Sequence, residues 1–514
     1  MQKDVRYDRQ IRLWGDEGQS RIENASICVL GSSALACEIM KNLVLAGIRS
    51  VQIVDAARIV APDFGSNFFL DGEIGEPRAK AVELNPSVEV GFVLRSAEDL
   101  IAEDDLKFLF QFTVVVGSNL QAEDAAQISD YLYKRNIPFV YARAYGLTGY
   151  VRVCVREHTI FNSHEENVAP DLRLDRPFPA LIDLVEATDL DAMDYEAHSH
   201  TPYLILYLKA LDLWREKYGK DDFPDNYAKR KTFEEVFMSL RKPNPDNGAL
   251  MEENFMEGRA AIVRSIHRTT VPRGTKQLLE QTKARTPDSI SGSLPDMISD
   301  TERYVALATK FKQKANDDAN EVLFHARALL AYMDLPHDLI KYSDCQQFCK
   351  DAAMMRIQHG TSIAQESESS LEDIFCDIRN ADLTPNTVTG VPQIPPAVWY
   401  ILLRAIDRFH SEKARYPGTN GVPCAIDAYD LRGRVVSIIV DSQIIDRSEV
   451  AEKIPQSAVE EMCRYGAGEP HVIAALIGGI ASQEVIKLAT HQYVPLDNTL
   501  IFDGHTQQSR TYRL

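Results

Sequence analysis

Apolar and polar positions along residues 25–155 alternate in a way that predicts strands and helices in turn. The short apolar runs ASICVL, SVQIVD, FTVVVGS and IPFVYAR have the composition of buried strands. Between them, apolar positions recur at helical spacing over residues 34–46 and 123–134. Gly47 follows the first helical segment at the usual place for a helix-ending glycine. This order predicts an α/β fold with a parallel, doubly wound sheet.

The pattern changes along the rest of the chain. Residues 172–450 show mainly helical spacing, interrupted by loops rich in Pro, Gly, Ser and Thr. The last part returns to a strongly apolar helix, HVIAALIGGIASQEVIKLAT, followed by a short strand, NTLIFDG. We therefore predict one α/β domain that is split in sequence. Residues 1–165 and 456–514 form it, and residues 166–455 form a large, mainly helical insert.

Composition and charge narrow the classes of function. The chain has 514 residues, 45% hydrophobic content and a formal net charge of −19. This acidic excess argues against nucleic acid or an anionic membrane as partner and favours a protein with a basic face. Eight cysteines are too sparse for a disulfide scaffold, and the first residues lack an apolar signal segment. The apolar run over 472–482 is too short to span a bilayer. We expect a soluble protein of a reducing compartment.

The turn after the first strand, in CVLGSSALACEI, raises the question of a nucleotide site. Gly31 stands where the motif G-x-G-x-x-G begins, but Ser33 and Ala36 replace its second and third glycines. Glycines at such a turn allow the backbone to approach phosphate closely. Taken alone, the turn fits either a degenerate nucleotide site or a packing turn. Asp55, about 20 residues further on, fits a strand end or the ribose-binding acid of a dinucleotide enzyme.

Several phrases, in order along the chain, resemble one known family. They are similar to the activating enzymes of ubiquitin-like modifiers, which have a Rossmann-like, ThiF-like adenylation fold: YDRQIRLWG, LGSSALACEIMKNLVLAGI, GSNFFL, YGLTGYVRV and GGIASQEVIKLATHQYVPLDN. The chain length and the phrases DLRLDRPFP and HSHTPY resemble the regulatory subunits of neddylation activating enzymes.

The resemblance implies a heterodimer in the cytoplasm and nucleus that supports cullin neddylation. The catalytic subunit would bind ATP and Mg²⁺, adenylate the C-terminal glycine of the Nedd-type modifier and then form a thioester with it. The partners that the resemblance implies for this chain are therefore that catalytic subunit and the modifier.

Compared with active members of the family, this chain lacks groups that bind nucleotide. Ala57 stands where a second carboxylate contacts the ribose, and Leu70 where an arginine contacts the triphosphate. Arg78 replaces a lysine and keeps its charge. Asn119 replaces the metal-binding aspartate, and a neutral amide holds Mg²⁺ poorly beside phosphates. We expect no adenylation by this chain and no cofactor bound to it, with ATP and Mg²⁺ on the partner subunit.

The cysteines do not have the sequence setting of a catalytic thiol, which needs a lowered pKa and exposure. Cys345 and Cys349 lie four residues apart without a second pair for zinc. Cys424 follows a loop and has no basic neighbour in sequence. The cysteines expected in the core are Cys28, Cys37, Cys154 and Cys463. We expect no thioester and no bound metal on this chain.

Two sets of residues are candidates for contact with the partner. Arg9, in YDRQ, matches the arginine that in this family reaches across the dimer to the partner's triphosphate, a role that suits a guanidinium group. The alternative is that Arg9 pairs only with Asp8 or other surface acids, and Arg12 is a second candidate. Residues 47–70 carry aromatic side chains in place of phosphate-binding ones, which indicates an interface. Its candidates are Gly47, Asp55, Phe64, Asn67, Phe68 and Phe69.

Three alternative functions stay open. The small regulatory subunit of a SUMO activating enzyme is one, although that chain lacks a long helical insert. A self-sufficient ThiF-like adenylating enzyme would need the missing acids and arginine. A dinucleotide oxidoreductase would need an intact glycine motif and a catalytic acid–base pair. The insert and the lost nucleotide-binding groups favour the regulatory subunit of a neddylation activating enzyme.

Overall fold

The chain folds as two compact units. The computed structural model describes residues 3–68, 70, 72–79, 85–103, 105–164, 172–220, 222–264, 301–352, 354–366, 371–384, 393–442, 444 and 446–514. The first unit combines Met1–Ile160 with Ile357–Leu514, and the second is Phe161–Arg356.

An eight-stranded sheet is the centre of the first unit. The strands among the described residues are β1 (Ser26–Leu30), β2 (Ser50–Val54), β3 (Glu89–Val93), β4 (Val114–Ser118), β5 (Phe139–Tyr145), β6 (Thr148–Cys154), β7 (His158–Ile160), β8 (Arg356–Gln358), β9 (Thr499–Asp503) and β10 (Gln508–Tyr512). The order in the sheet is β10-β9-β6-β5-β4-β1-β2-β3, and β7 pairs with β8 separately. Strands β3, β2, β1, β4 and β5 are parallel, whereas β6, β9 and β10 are antiparallel. The predicted doubly wound α/β fold is confirmed.

Helices cover both faces of this sheet, which explains why its central strands β4, β5 and β6 are buried along their whole length. In β1, Ile27 and Val29 face one core, while Cys28 and Leu30 face the other. The helices of this unit are α1 (Lys3–Asn24), α2 (Ala34–Ala46), α3 (Ala97–Ala102), α4 (Ala122–Tyr133), α12 (Glu372–Arg379), α13 (Pro396–Lys413), α14 (Cys424–Asp441), α15 (Arg447–Glu452), α16 (Gln456–Tyr465) and α17 (His471–Thr490).

Helix α17 is long and apolar enough to cross a membrane by length and composition alone. In the fold it packs against α2 and the sheet, with Ala474, Ile477 and Ala481 in the shared core. A side chain at Gly478 would begin 2.7 Å from the Cβ of Glu38, so this glycine permits the close approach of α17 to α2. Nothing lies within 4 Å of the corresponding position at Gly479. The apolar character of α17 is thus accounted for by burial in a protein core.

The second unit is mainly helical. Its helices among the described residues are α5 (Pro179–Glu186), α6 (Tyr195–Ser199), α7 (Tyr203–Tyr218), α8 (Tyr227–Met238), α9 (Glu253–Arg264), α10 (Thr301–Tyr332) and α11 (Tyr342–Asp351). Large side chains from several of these helices meet in one core: Trp214, Phe233, Phe237, Phe255 and Phe311. The helical spacing read along this part of the sequence therefore corresponds to real amphipathic helices.

The division into units differs from the predicted domain boundary at residue 455. Helices α12–α15 belong to the first unit, because their apolar faces pack into the same core as the sheet. Trp399, Phe409 and Leu431 from these helices share that core with Phe139 and Tyr141 of β5. The compact helical unit inserted in sequence is consequently shorter than predicted.

Candidate functional site

The turn between β1 and α2 keeps the geometry of a nucleotide-binding turn. Gly31 has φ of 98°, and a Cβ there would lie 2.8 Å from the carbonyl oxygen of Ser118. Only glycine meets both constraints without strain. Ser33 is the N-cap of α2, and its hydroxyl accepts a hydrogen bond from the Ala36 amide. The turn therefore brings the N-terminus of α2 to the carboxyl edge of the parallel strands. The first amides of a helix have no hydrogen-bond partner within the helix itself.

The anion at this helix terminus is the chain's own Glu469. Its Oε1 accepts hydrogen bonds from the Leu35 amide at 2.7 Å and the Ser33 hydroxyl at 2.9 Å, and its Oε2 from the Ala34 amide at 3.2 Å. Burial raises the pKa of the Glu469 carboxyl, and these hydrogen bonds offset part of that rise. Amides at a helix N-terminus are the groups that bind phosphate in nucleotide enzymes. Here a carboxylate already accepts their hydrogen bonds.

Asn119 completes the cradle of Glu469 from the end of β4. Its Nδ2 donates to Glu469 Oε1 at 3.0 Å, and its Oδ1 accepts from the Ala144 amide at 2.9 Å. An aspartate at this position would have no amide hydrogen to donate and would repel Glu469. Asn119, which the sequence comparison placed at the position of a metal-binding aspartate, therefore donates a hydrogen bond to Glu469.

The second candidate nucleotide contact, Asp55, is also fully engaged within the chain. The Ser32 hydroxyl and the Arg78 guanidinium both donate to Oδ2, the latter from Nη2 at 3.0 Å, and the Ala57 amide donates to Oδ1 at 2.8 Å. Burial lowers the pKa of Arg78, but the charges of Asp55 and Asp63 outweigh it and raise that pKa above its usual value. The acid suited to a ribose and the base suited to a phosphate thus neutralise each other. These residues do not fit an ATP molecule.

Comparisons with known proteins agree with this architecture. The sequence model of the ThiF family matches residues 7–514. The NEDD8-activating enzyme E1 regulatory subunit of Caenorhabditis elegans is 42% identical over 99% of this chain and 98% of that protein. The proteins of the same name from Danio rerio and Gallus gallus are 34% and 33% identical over the whole of this chain, covering 99% and 98% of their own lengths.

The chain belongs to the ThiF family, among its NEDD8-activating enzyme E1 regulatory subunits. The resemblance described from the sequence, and the regulatory role in neddylation that it implied, are confirmed. Among solved structures, a crystal structure of E. coli MccB with MccA-N7isoASN covers 29% of this chain at 15% identity, with a TM-score of 0.27, too low to add to the argument.

The ThiF-family arginine candidate, Arg9, lies exposed on α1. The structure pairs Asp8 with Arg12 at 3.0 Å, and no ion pair of Arg9 is found among the described residues. Helix α1 is held in place by the buried ring of Tyr7, whose hydroxyl accepts a hydrogen bond from Asn85. Helix α1 is thus anchored at Tyr7, and the side chain of Arg9 is exposed to solvent.

The candidates in residues 47–70 fall into two groups. Gly47 is the left-handed C-cap of α2 and lies against the Tyr7 ring, and Asn67 is 4% exposed and donates to the Ser32 carbonyl. Gly47, Asp55 and Asn67 are therefore buried within the protein, beneath the surface formed by residues 47–70. Phe64 and Phe68 are 43% and 65% exposed, so they present apolar side chains to solvent. Phe69 lies outside the described residues.

The four cysteines expected in the core are buried. Burial raises the pKa of Cys37 and of Cys463 to about 12, which disfavours the thiolate needed for thioester chemistry. The cysteines buried in the described structure are Cys28, Cys37, Cys154, Cys345, Cys349 and Cys463. Cys424 is exposed and Cys376 is partly exposed.

Sequence reasoning missed Glu469, the residue at the centre of this site. It precedes Pro470, the N-cap of α17, so its local sequence marks only the start of that helix. Its partners Ser33 and Asn119 were noticed, but as departures from a motif. Ser33 stands in place of a glycine and Asn119 in place of an acid, and both are hydrogen-bond donors. This pair of replacements is the sequence signal that pointed to an anion within the chain.

Proposed function

We propose that this chain is the non-catalytic half of a heterodimeric enzyme that activates a Nedd-type modifier. In this proposal a separate catalytic subunit binds ATP and Mg²⁺, adenylates the modifier and forms the thioester. The full-length similarity to proteins named NEDD8-activating enzyme E1 regulatory subunit supports the pairing. The carboxylate of Glu469 at the N-terminus of α2 is the observation that carries the non-catalytic role.

Electrostatics indicates how strongly Glu469 opposes nucleotide binding. A triphosphate at this helix terminus would place a negative charge beside the carboxylate. When the Glu469 carboxyl is ionised, a unit negative charge about 4 Å away is repelled by about 4 kcal/mol at an effective dielectric constant of about 20. That free energy corresponds to roughly a thousandfold in affinity. Moving Glu469 aside would remove the repulsion but would break its hydrogen bonds with Ser33, Ala34, Leu35 and Asn119.

In the proposed complex this chain contributes to the partner's chemistry through Arg9. A guanidinium group suits phosphate oxygens because it donates two hydrogen bonds in one plane. The exposure of Arg9 and the pairing of Asp8 with Arg12 support this role over a surface ion pair with Asp8.

Pyrophosphate exchange tests the proposed division of labour. The full chain alone, with the modifier, Mg²⁺ and ATP, should show no ATP–pyrophosphate exchange. Addition of the catalytic subunit should restore exchange and then thioester formation on that subunit. Exchange catalysed by the lone chain would contradict the non-catalytic role, and failure of the two chains to co-purify would contradict the pairing.

The same mixture tests the predicted surface. Phe64→Ala combined with Phe68→Ala should weaken assembly by at least about thirtyfold, because even one buried aromatic contact at an interface is worth about 2 kcal/mol or more. Tyr227→Ala, at an 83% exposed aromatic residue of the second unit, is the matched control. Equal affinity of the folded double variant and the control would show that Phe64 and Phe68 lie outside the interface.

A further inference from the structure

A cleft of about 710 Å³ lies in the first unit, apart from the turn that holds Glu469. Its volume falls within the range of about 300–1,000 Å³ typical of ligand sites. Helix α4, strands β5 and β6 and helix α13 contribute most of its lining. Residues that matter for its chemistry are Glu98, Glu123, Asp124, Arg143, Tyr150 and Asp407.

The basic groups of the cleft are neutralised by carboxylates of the same chain. Arg143 donates to both carboxylate oxygens of Asp407, at 2.8 and 2.7 Å. Arg404 is paired with Glu366, which also accepts a hydrogen bond from the Tyr400 hydroxyl. Arg408 is paired with Asp441 at 2.8 Å. Each arginine among the described lining residues is therefore paired with a carboxylate, which weakens its attraction for an anionic ligand.

Tyr150 presents a hydroxyl group to the cleft. The residue is 6% exposed, and no hydrogen bond to its hydroxyl is found in the part of the chain that the structure describes. Burial raises its pKa, which keeps the phenol neutral. Hydroxyl groups inside proteins nearly always have a hydrogen-bond partner, from the protein, from water or from a ligand. A ligand group in the cleft would provide that partner.

Three acids give the cleft an excess of negative charge. Glu98 lies in the first turn of α3, and Glu123 and Asp124 lie in the first turn of α4. The helix dipole stabilises negative charges at these positions. Glu123 also accepts a hydrogen bond from Ser411. Asp124 has no ion pair among the described residues. Its burial, together with the charges of Glu98 and Glu123, raises its pKa to about 6 despite the helix terminus. A positive charge placed here would favour the ionised carboxylate.

We propose that this cleft binds a guanidinium or ammonium group, with Asp124 as its counter-charge and the Tyr150 hydroxyl as its hydrogen-bond acceptor. The rings of Tyr141 and Tyr150, in edge contact at 5.7 Å, also line the cleft. The same chemistry occurs in a basic side chain of a peptide and in a free guanidine or amine. The site is independent of the nucleotide question and of the Phe64–Phe68 surface.

Calorimetric titration of the full chain at low salt tests the proposal with defined probes. The probes are L-argininamide and the capped peptide Ala-Arg-Ala, and the control is the same peptide with neutral citrulline in place of arginine. Both cationic probes should bind and the citrulline peptide should not. Tighter binding of the peptide identifies a peptide as the source of the cation, and equal binding identifies a free guanidine compound. Absence of binding at millimolar concentrations, or equal binding of citrulline, overturns the proposal.

Variants of the cleft separate this site from nonspecific attraction. Tyr150→Phe keeps the packed ring and should weaken binding of the peptide roughly tenfold, the usual value of one hydrogen bond to a charged group. Asp124→Asn should weaken it at least as much, while Asp16→Asn, at an exposed acid of α1, should leave it unchanged. Circular dichroism confirms that each variant is folded. Unchanged affinity in both cleft variants overturns the proposal.

Discussion

Replacement of Arg9 by alanine should leave the heterodimer intact and slow adenylation of the modifier about a hundredfold. Loss of one group that stabilises transition-state charge costs roughly 3 kcal/mol. The effect should appear in turnover rather than in the Michaelis constant, because the contact strengthens as charge develops on the leaving pyrophosphate. Fold should be preserved, since Arg9 is exposed and Tyr7 anchors α1. Single-turnover adenylation by the purified heterodimer is the measurement.

Variants on the same helix give the controls. Arg9→Lys should restore only part of the rate, because an ammonium group cannot reproduce two coplanar hydrogen bonds. Arg12→Ala should have a smaller effect, since Arg12 is paired with Asp8. Glu17→Ala, at an exposed acid further along α1, should have almost none. If the Arg9→Ala heterodimer adenylates the modifier at the unmodified rate, Arg9 does not contact the partner's phosphates and the YDRQ segment has only a structural role.

Asp407→Ala should lower the free energy of unfolding of the first unit by about 3–5 kcal/mol. The substitution leaves the guanidinium of Arg143, which is 9% exposed, without its bidentate partner. Removal of one member of a buried ion pair costs about that much, because the remaining charge stays desolvated. Burial lowers the pKa of Arg143, yet Asp407 holds it well above its usual value, so the charge persists. Denaturant unfolding of the Asp407→Ala variant and of the unmodified chain measures the difference in the free energy of unfolding.

A second ion pair on α13 provides the matched control. Arg408 and Asp441 are as close as Arg143 and Asp407, but their side chains are 37% and 57% exposed. Exposed pairs contribute about 0–1 kcal/mol, so Asp441→Ala should change stability little. Equal losses from Asp407→Ala and Asp441→Ala would show that burial does not govern the Arg143 pair.

The central sheet was predictable because its strands carry information locally. Runs such as ICVL and VVVG are apolar throughout, which indicates a strand buried on both faces, and helical spacing between them indicates crossovers. The extent of the insert was not predictable in this way. Helices such as α10 and α13 show the same periodicity, although α10 belongs to the second unit and α13 packs on the sheet. Periodicity shows that a face is buried, but it does not identify the core that buries it.

The candidate site shows the same limit more sharply. Sequence reasoning recognised the turn at Gly31 and the changed residues Ser33 and Asn119, because a motif fixes their places. It could not find Glu469, whose contact with Leu35 joins positions 434 residues apart. Only the packing of α17 against α2 brings that carboxylate to the helix terminus. The carboxylate that accepts hydrogen bonds at this helix terminus is therefore placed there by the tertiary structure.

Calorimetric titration of this chain alone with ATP and Mg²⁺ tests whether Glu469 prevents nucleotide from binding at the N-terminus of α2. Repulsion of about 4 kcal/mol from that carboxylate would move a micromolar dissociation constant to the millimolar range. We expect no saturable heat up to about 1 mM ATP. A micromolar dissociation constant with one site per chain would contradict it.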